Sequence, residues 1–278
     1  MKVSQAAKLW LEYHNVNSKK NTSRAYELTM SKFVPQFHDT HLNTLMSDEV
    51  LMFLNQSTEG KKQSTKKVYY SHLNSFFNFI KNNTDEKFKN PCDTPIFKKL
   101  FQGKAAINLN ILEKDCVDEI IFRTISLRNR LMLELMARGG LRIGEVLKLI
   151  PNDVHDRKII IREPKSGKEH EVAFIPQKVA DRLRDYIVEK GFTPEEHLFP
   201  ICYETAREMV SNAGKIVNIR LRPHDLRRHA ATYASRSRVP LEIISKVILR
   251  HANLSTTQLY LGKVSDTEAL KWIENIYG

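Results

Sequence analysis

The helical pattern of apolar residues breaks between residues 83 and 110, and this break divides the sequence into two parts. Before the break, aromatic and aliphatic residues recur at intervals of three and four residues, as on the buried faces of amphipathic helices. Within it, prolines and a glycine interrupt the pattern, and lysines lie between them. The sequence therefore predicts an all-helical domain over residues 1–85, a linker over 86–105 and a second domain over 106–278.

The second part combines helical segments with one short hairpin. Residues 157–162 and 171–175 are rich in β-branched side chains, and a turn that contains Gly167 separates them, which is typical of a β-hairpin. Helices are predicted around this hairpin at about 113–124, 127–137, 142–149, 177–190, 203–216, 224–236, 240–250, 254–260 and 266–276. The predicted fold class is mainly α with a small antiparallel β-sheet.

The charge balance favours a polyanionic partner. Lys and Arg total 44 against 32 Asp and Glu, which gives a formal charge of +12. Such an excess suits nucleic acid, because each neutralised phosphate releases counterions, although an ordinary basic surface has the same composition. The three cysteines lie far apart without disulfide or metal-ligand spacing. No stretch approaches ~20 apolar residues, so we expect a cytoplasmic protein without a membrane segment.

Four side chains with phosphate chemistry fall close together in the last quarter of the sequence: His224, Arg227, His251 and Tyr260. Proline and aspartate on either side of His224 predict a helix start, and Arg227 then lies on the same helix face. Guanidinium groups bind phosphate oxygens in pairs, and imidazole exchanges a proton near neutral pH. Each fragment alone is typical of a solvated surface, but together they predict a phosphate site with Tyr260 as candidate nucleophile.

Two further cations precede this group. Arg142 lies in a Gly-Leu-Arg-Ile-Gly-Glu segment, and Lys165 lies on the predicted hairpin turn. The whole set, in this order, resembles that of the tyrosine recombinases, also called the phage integrase family. The resemblance covers essentially the entire chain, and the segment Leu-Ser-Thr-Thr-Gln-Leu-Tyr at 254–260 is similar to the family's nucleophile segment. It implies a core-binding domain followed by a catalytic domain.

The resemblance implies a specific chemistry for these residues. Tyr260 attacks a DNA phosphodiester to give a covalent 3′-phosphotyrosyl link and a free 5′-hydroxyl, which requires neither a metal nor another cofactor. Arg142 and Arg227 hold the non-bridging oxygens and stabilise the charge of the transition state. Lys165 protonates the leaving 5′-oxygen, and Lys168 on the same turn is the alternative donor.

The remaining assignments rest partly on the resemblance and partly on helical spacing. His224 exchanges a proton with the nucleophile, and His251 donates a hydrogen bond to the phosphate. Glu145 either orients the preceding arginine of its segment or forms an ordinary ion pair with it. For Arg228 and His229 we expect surface or DNA-backbone roles. Arg250 stands where family members usually have glycine, and it adds bulk and charge near the site.

At the level of function, the resemblance implies a site-specific DNA recombinase. Its partner is double-stranded DNA with an inverted-repeat core site, bound by four copies of the chain or by pairs with a related recombinase. The compact size is similar to that of Xer-type resolvases and simple mobile-element integrases, so integration, excision and dimer resolution stay open. Two alternatives are a type IB topoisomerase, which works as a monomer, and a catalytically silent DNA-binding regulator.

The last residues form one more amphipathic segment. Apolar residues recur at helical spacing over 265–278, with charged residues between them. Such a helix must bury its apolar face, either on its own domain or, as the resemblance implies, on a neighbouring protomer.

Overall fold

A computed structural model describes residues 1–84, 87–101, 111–164, 166–261 and 274, and for 259–261 it describes the backbone alone. The chain forms two compact units, Met1–Ile107 and Asn108–Gly278. Helices dominate both described parts, and the second contains a three-stranded antiparallel sheet, so the predicted fold class is confirmed. The described residues contain no helix that is both long enough and apolar enough to cross a membrane.

The first unit is a set of helices around an aromatic core. Its helices are α1 (Val3–Asn17), α2 (Lys20–Phe37), α3 (Ser47–Ser57), α4 (Gln63–Asn83) and α5 (Pro95–Phe101), with a short 3₁₀ turn at Leu42–Thr44. Trp10 is fully buried and meets Phe76 edge to face, with ring centroids 5.5 Å apart. Phe33 and Phe53 make a similar contact at 5.0 Å. This geometry places the positive edge of one ring against the negative face of the other.

The region expected to be a linker over 86–105 differs from that expectation. Helix α5 lies within it, and Phe97 and Phe101 are buried in the core of the first unit, where both stack on Tyr70. Pro95 begins this helix, because proline lacks only an N–H that has no partner in a first turn. The boundary between the units falls between residues 107 and 108.

The second unit combines its sheet with helices. Its elements are α6 (Lys114–Arg123), α7 (Leu127–Ala137), α8 (Ile143–Val146), β1 (Val154–His155), β2 (Lys158–Arg162), β3 (His170–Phe174), α9 (Gln177–Lys190), α10 (Tyr203–Lys215), α11 (Pro223–Arg236), α12 (Leu241–Ile243) and α13 (Leu254–Leu261). A π-helical turn, Ile244–Ile248, follows α12. The helix predicted at 266–276 lies outside the described residues, apart from residue 274.

The hairpin has the register that its alternating pattern predicts. Lys158 lies opposite Phe174 and Arg162 opposite His170, while β1 pairs with the other edge of β2. Ile159 of β2 is buried in the core of the unit and the ends of the strand are exposed. The sheet therefore covers the core with one face, as antiparallel sheets commonly do.

Helix α7 occupies the centre of the second unit. Residues 131–137 are all buried, and the helix packs against both α9 and α11. A helix buried on every side must pair any charge that it carries. Glu134 does so, because its carboxylate accepts hydrogen bonds from Arg182 of α9 at 2.5 and 3.2 Å. The chain leaves the end of this central helix directly into the candidate site.

Candidate active site

The site is built around a glycine turn after α7. Gly140 has a φ of +62°, and a Cβ at this position would lie 2.7 Å from the carbonyl oxygen of Ile248. A residue with a side chain would therefore meet backbone that cannot move aside, and it would also be strained by the left-handed conformation. This close approach brings the segment that carries Arg142 against the π-helical turn that precedes His251.

Arg142 is held by the glutamate three residues later. Its backbone N–H donates to Glu145 Oε2 at 2.8 Å, and its Nη1 donates to Glu145 Oε1 at 2.5 Å. The Glu145 side chain is 8% exposed. Burial raises the pKa of the Glu145 carboxyl, but the charge of Arg250 and the hydrogen bonds from Arg142 outweigh it, and the net pKa is lowered. The carboxylate is therefore ionised at neutral pH.

Arg227 joins the two segments from α11. It is 1% exposed, and its two terminal nitrogens donate to the carbonyl oxygens of Gly140 and Leu249. A buried guanidinium is stable only when such acceptors replace its hydration. These hydrogen bonds therefore hold the Arg227 guanidinium in place and connect the segment that carries Arg142 with the segment that carries His251.

His224 lies in the first turn of α11, as predicted. The helix begins at Pro223, and the side chain of Asp225 accepts a backbone N–H at this end. The imidazole stays accessible to solvent. Loss of part of its hydration lowers the pKa of His224 below its usual value, and the positive charges of Arg228 and Arg227 lower it further. His224 is therefore neutral at neutral pH and can accept a proton.

His251 is held by two buried hydroxyls. Its Nδ1 lies 2.9 Å from Thr257 Oγ1, and the hydroxyls of Thr257 and Ser245 are 2.8 Å apart. Its backbone N–H donates to the Ser245 carbonyl at 2.9 Å. The pKa of His251 is lowered to about 4, mainly by loss of hydration and further by the positive charges of Arg227 and Arg142. The ring is therefore neutral at pH 7, and its Nδ1 is held by the Thr257 hydroxyl.

Four of the predicted site residues therefore come together: Arg142, His224, Arg227 and His251, with Glu145 behind the first of them. Lys165 lies outside the described residues. Tyr260 belongs to α13, which packs against α11 and the π-helical turn, but its side chain is not among those described.

The expected surface role of His229 is wrong. The side chain is 6% exposed, and Nδ1 lies 2.9 Å from the carbonyl oxygen of Leu112. Arg228 is largely buried as well and forms an ion pair with Asp225 at 3.3 Å. Helix α11 contacts α6, α7 and α13, so more of its circumference is covered than its sequence pattern indicates.

Sequence reasoning missed Thr257 and Ser245, and it treated Arg250 as a departure without a partner. Arg250 is buried, and its Nη2 donates to Glu145 Oε2 at 2.6 Å. The Thr-Thr pair before the tyrosine was visible in the sequence, but its spacing does not indicate which threonine faces His251.

Comparison with known proteins decides the family. The family model described as the phage integrase family matches residues 110–265. The chain belongs to this family. It is 31% identical to the tyrosine recombinase XerA of Pyrococcus horikoshii, over 93% of this chain and 90% of that protein. It is 27% identical to a tyrosine recombinase of Thermosipho africanus, over 92% of this chain and 93% of that one.

Solved structures agree on the fold. The Tn1549 transposon integrase in complex with transposon right end DNA has a TM-score of 0.76 at 16% identity and covers 100% of both chains. The XerH site-specific recombinase bound to a palindromic difH substrate has a TM-score of 0.71 at 20% identity, over 94% of this chain and 80% of that one. Together with the family match and the curated relatives, this confirms the predicted class: this tyrosine recombinase is a DNA-binding enzyme of site-specific recombination, and the topoisomerase and regulator alternatives are not favoured.

Proposed function

We propose that this recombinase cleaves DNA by attack of the Tyr260 hydroxyl on a phosphodiester held by Arg142 and Arg227. The convergence of these two arginines with His251 carries the proposal, because both of their charges depress the pKa of its imidazole. Three groups that bind or polarise phosphate are thus supplied by segments far apart in sequence. The second unit is accordingly the catalytic domain, and the first is the core-binding domain.

The proposed reaction balances without an external energy source. The phenol oxygen forms a bond to phosphorus, its proton passes to neutral His224, and the bond from phosphorus to the 5′-oxygen breaks. Lys165 supplies the proton that the leaving oxygen takes up. The phosphotyrosyl ester retains the energy of the phosphodiester, so the reverse attack by a 5′-hydroxyl rejoins the strand. No metal or other cofactor enters these steps.

His251 and Glu145 support this step in different ways. The Thr257 hydroxyl, which donates to the buried Ser245 hydroxyl, holds the His251 ring through Nδ1, and the ring so oriented forms a hydrogen bond to a phosphate oxygen. Glu145 fixes the Arg142 guanidinium by accepting a hydrogen bond from its Nη1. Both roles concern the orientation of a group that contacts the phosphate.

The assembly on DNA is also a proposal. We infer that the substrate is double-stranded DNA with an inverted-repeat core site, bound by four copies of the chain or by pairs with a related recombinase. The XerH structure supports the symmetry of the site, since its substrate is palindromic. Integration, excision and dimer resolution are all compatible with this arrangement, and a cytoplasmic location stays a prediction.

Trapping on a suicide substrate, nicked beside the scissile phosphate, tests the proposal. Tyr260→Phe removes the attacking oxygen alone, so we expect the variant to bind DNA and to form no denaturation-resistant adduct. Tyr233→Phe is the matched control, because Tyr233 is a partly exposed tyrosine that stacks on His229 of the same domain. An adduct with Tyr260→Phe would show that another residue is the nucleophile.

The same trapped adduct also addresses the alternatives. A regulator without activity forms no adduct with the wild-type chain. A topoisomerase forms the adduct and relaxes supercoiled DNA but does not join strands from two duplexes, whereas the proposed recombinase exchanges strands between two sites.

A further inference from the structure

Arg250 holds a backbone conformation that disfavours a side chain. Its φ is +50°, in the left-handed region that glycine adopts freely and most other residues avoid. Such a conformation persists in a folded protein only where the surroundings compensate for it. The contacts of the Arg250 side chain are therefore the place to look for that compensation.

The guanidinium of Arg250 is buried and faces protein groups. Its side chain is 3% exposed. Nη2 donates to Glu145 Oε2 at 2.6 Å and lies 3.4 Å from the Gly140 carbonyl oxygen, and Nη1 donates to the Ile248 carbonyl at 3.0 Å. Each of these contacts is to a protein group, and the Glu145 carboxylate is the charged partner among them.

Glu145 is the carboxylate that Arg250 shares with Arg142. One oxygen, Oε1, accepts from Arg142 Nη1, while Oε2 accepts from both the Arg142 backbone N–H and Arg250 Nη2. The carboxylate is thus fixed between two guanidinium groups that approach from different segments. Charge-assisted hydrogen bonds of this kind restrict the rotamer of the carboxylate and so the position of whatever else it binds.

A second carboxylate balances the charge on the other side of Arg250. Glu171 Oε2 of β3 lies 3.5 Å from Arg250 Nε, and its Oε1 accepts a hydrogen bond from Ser166 at 2.7 Å. Without Arg250, two largely buried carboxylates from different elements would share this region with one fewer cation. Like charges in such a setting repel and shift the side chains that carry them.

We propose that Arg250 is a positioning residue, which fixes Glu145 and through it the Arg142 guanidinium that grips the scissile phosphate. This inference rests on the proposed function, since it concerns the orientation of Arg142, one of the two arginines proposed to hold the phosphate. It assigns to Arg250 a contribution to the cleavage step and none to DNA affinity.

The test compares two arginines with the same backbone conformation. Arg250→Gly relieves the left-handed strain and removes the ion pair. Because small displacements of a catalytic group can lower a rate by roughly a hundredfold, we expect a loss of that order in single-turnover cleavage at saturating DNA. DNA affinity should stay within about threefold of wild type, a change of roughly 0.65 kcal/mol.

Arg238→Gly is the matched control. Arg238 has a φ of +64° and an exposed side chain, so the substitution makes the same backbone change and removes the same charge at the surface of the domain. We expect it to cleave at the wild-type rate. Equal rates for Arg250→Gly and wild type, or a loss confined to DNA affinity, would overturn the inference.

A double-mutant cycle with Glu145→Gln separates positioning from a general structural effect. If Arg250 acts through Glu145, Arg250→Gly should slow cleavage much less in the Glu145→Gln background than in the wild-type background. The same fold loss in both backgrounds would show that Arg250 acts by another route, and the inference would fail.

Two further readouts keep the result interpretable. If Arg250→Gly lacks a cooperative melting transition, Arg250→Lys takes its place in the test. Lysine keeps the positive charge but lacks the planar guanidinium group that donates in several fixed directions. We therefore expect Arg250→Lys to fold, but to cleave more slowly than wild type at saturating DNA. A wild-type rate for this variant would contradict the inference. Absence of any adduct with the wild-type chain would instead count against the proposed function.

Discussion

The cores of the two units differ in the side chains that they remove from water. In the first unit, the buried side chains that the structure describes are apolar or uncharged, and many of them are aromatic rings in edge-to-face or tilted contact. In the second unit, the described core also contains ionisable groups: Glu134, Glu145, Asp153, Arg227, His229 and Arg250. Every charged or histidine side chain classed as buried within the described ranges belongs to the second unit.

This difference separates a scaffold from a site. Burial of aromatic rings stabilises a fold but does not orient a reacting group, because the hydrophobic effect has no preferred direction. Burial of a charge is unfavourable unless partners replace its hydration, and replacing such a pair by apolar residues often stabilises a protein. The second unit therefore retains an arrangement that packing alone does not favour, and at Glu145, Arg227 and Arg250 this arrangement is consistent with the proposed phosphate site.

The largest effect should come from breaking the aromatic core of the first unit. Trp10→Ala removes a fully buried ring, and we expect the free energy of unfolding to fall by about 3–5 kcal/mol. The single-turnover cleavage rate at saturating DNA should stay unchanged below the unfolding temperature, because this core holds no reacting group. Chemical denaturation and adduct formation measure the two quantities separately.

Trp10→Phe is the control for this substitution. It keeps an aromatic ring, and the indole N–H that it removes has no hydrogen-bond partner among the described residues. We expect a clearly smaller destabilisation. A cleavage rate that falls in Trp10→Ala at saturating DNA would contradict the division into scaffold and site.

A smaller effect, on rate, should come from the hydroxyl beside His251. Thr257→Val keeps the shape of a fully buried side chain but removes the group next to Nδ1. Without this hydroxyl the His251 ring is no longer held in place, so we expect cleavage to slow roughly tenfold at saturating DNA, which corresponds to about the free energy of one hydrogen bond. Thr256→Val changes an exposed neighbour on the same helix and should leave the rate unchanged. Equal effects of both variants would refute the assignment.

The smallest effect should appear in the pH dependence of stability. The pKa of His251 is about 4 in the folded chain against 6.5 for an ordinary histidine, so the unfolded chain binds the extra proton between these values. The free energy of unfolding should therefore fall as pH drops from 6.5 towards 4. His251→Gln should make this fall shallower without removing it, since the pKa values of His224 and His229 are lowered too.

Thermal melts across this pH range measure the effect. His155→Gln, at an exposed histidine of β1, controls for the loss of an imidazole as such. If His251→Gln and His155→Gln changed the pH dependence equally, the buried network of the second unit would not be its source.

Periodic patterns in the sequence predicted most of the fold. Apolar spacing located the long helices, and alternation located the hairpin, because these signals depend on residues that are close in the chain. Helix α5 was missed, since a short segment after several turn residues becomes helical only when Phe97 and Phe101 are buried by other elements.

The contacts of the candidate site likewise include some that a local sequence pattern predicts and some that it does not. The contact of Arg142 with Glu145 spans three residues and could be anticipated from helical geometry. The contact of Arg250 with the same carboxylate spans 105 residues, and no local pattern reports it. The burial of His229 likewise depends on the carbonyl of Leu112, 117 residues earlier in the chain.

The Gly140 carbonyl accepts from Arg227, 87 residues later, and lies within reach of Arg250, 110 residues later. Each contact must close a long loop before it contributes any stability, and such contacts slow folding relative to local ones. Helices form in microseconds or faster, whereas the two contacts of the Gly140 carbonyl form only when most of the second unit is folded. On refolding, helical content should return first, and the capacity to cleave DNA should be among the last properties that the molecule regains.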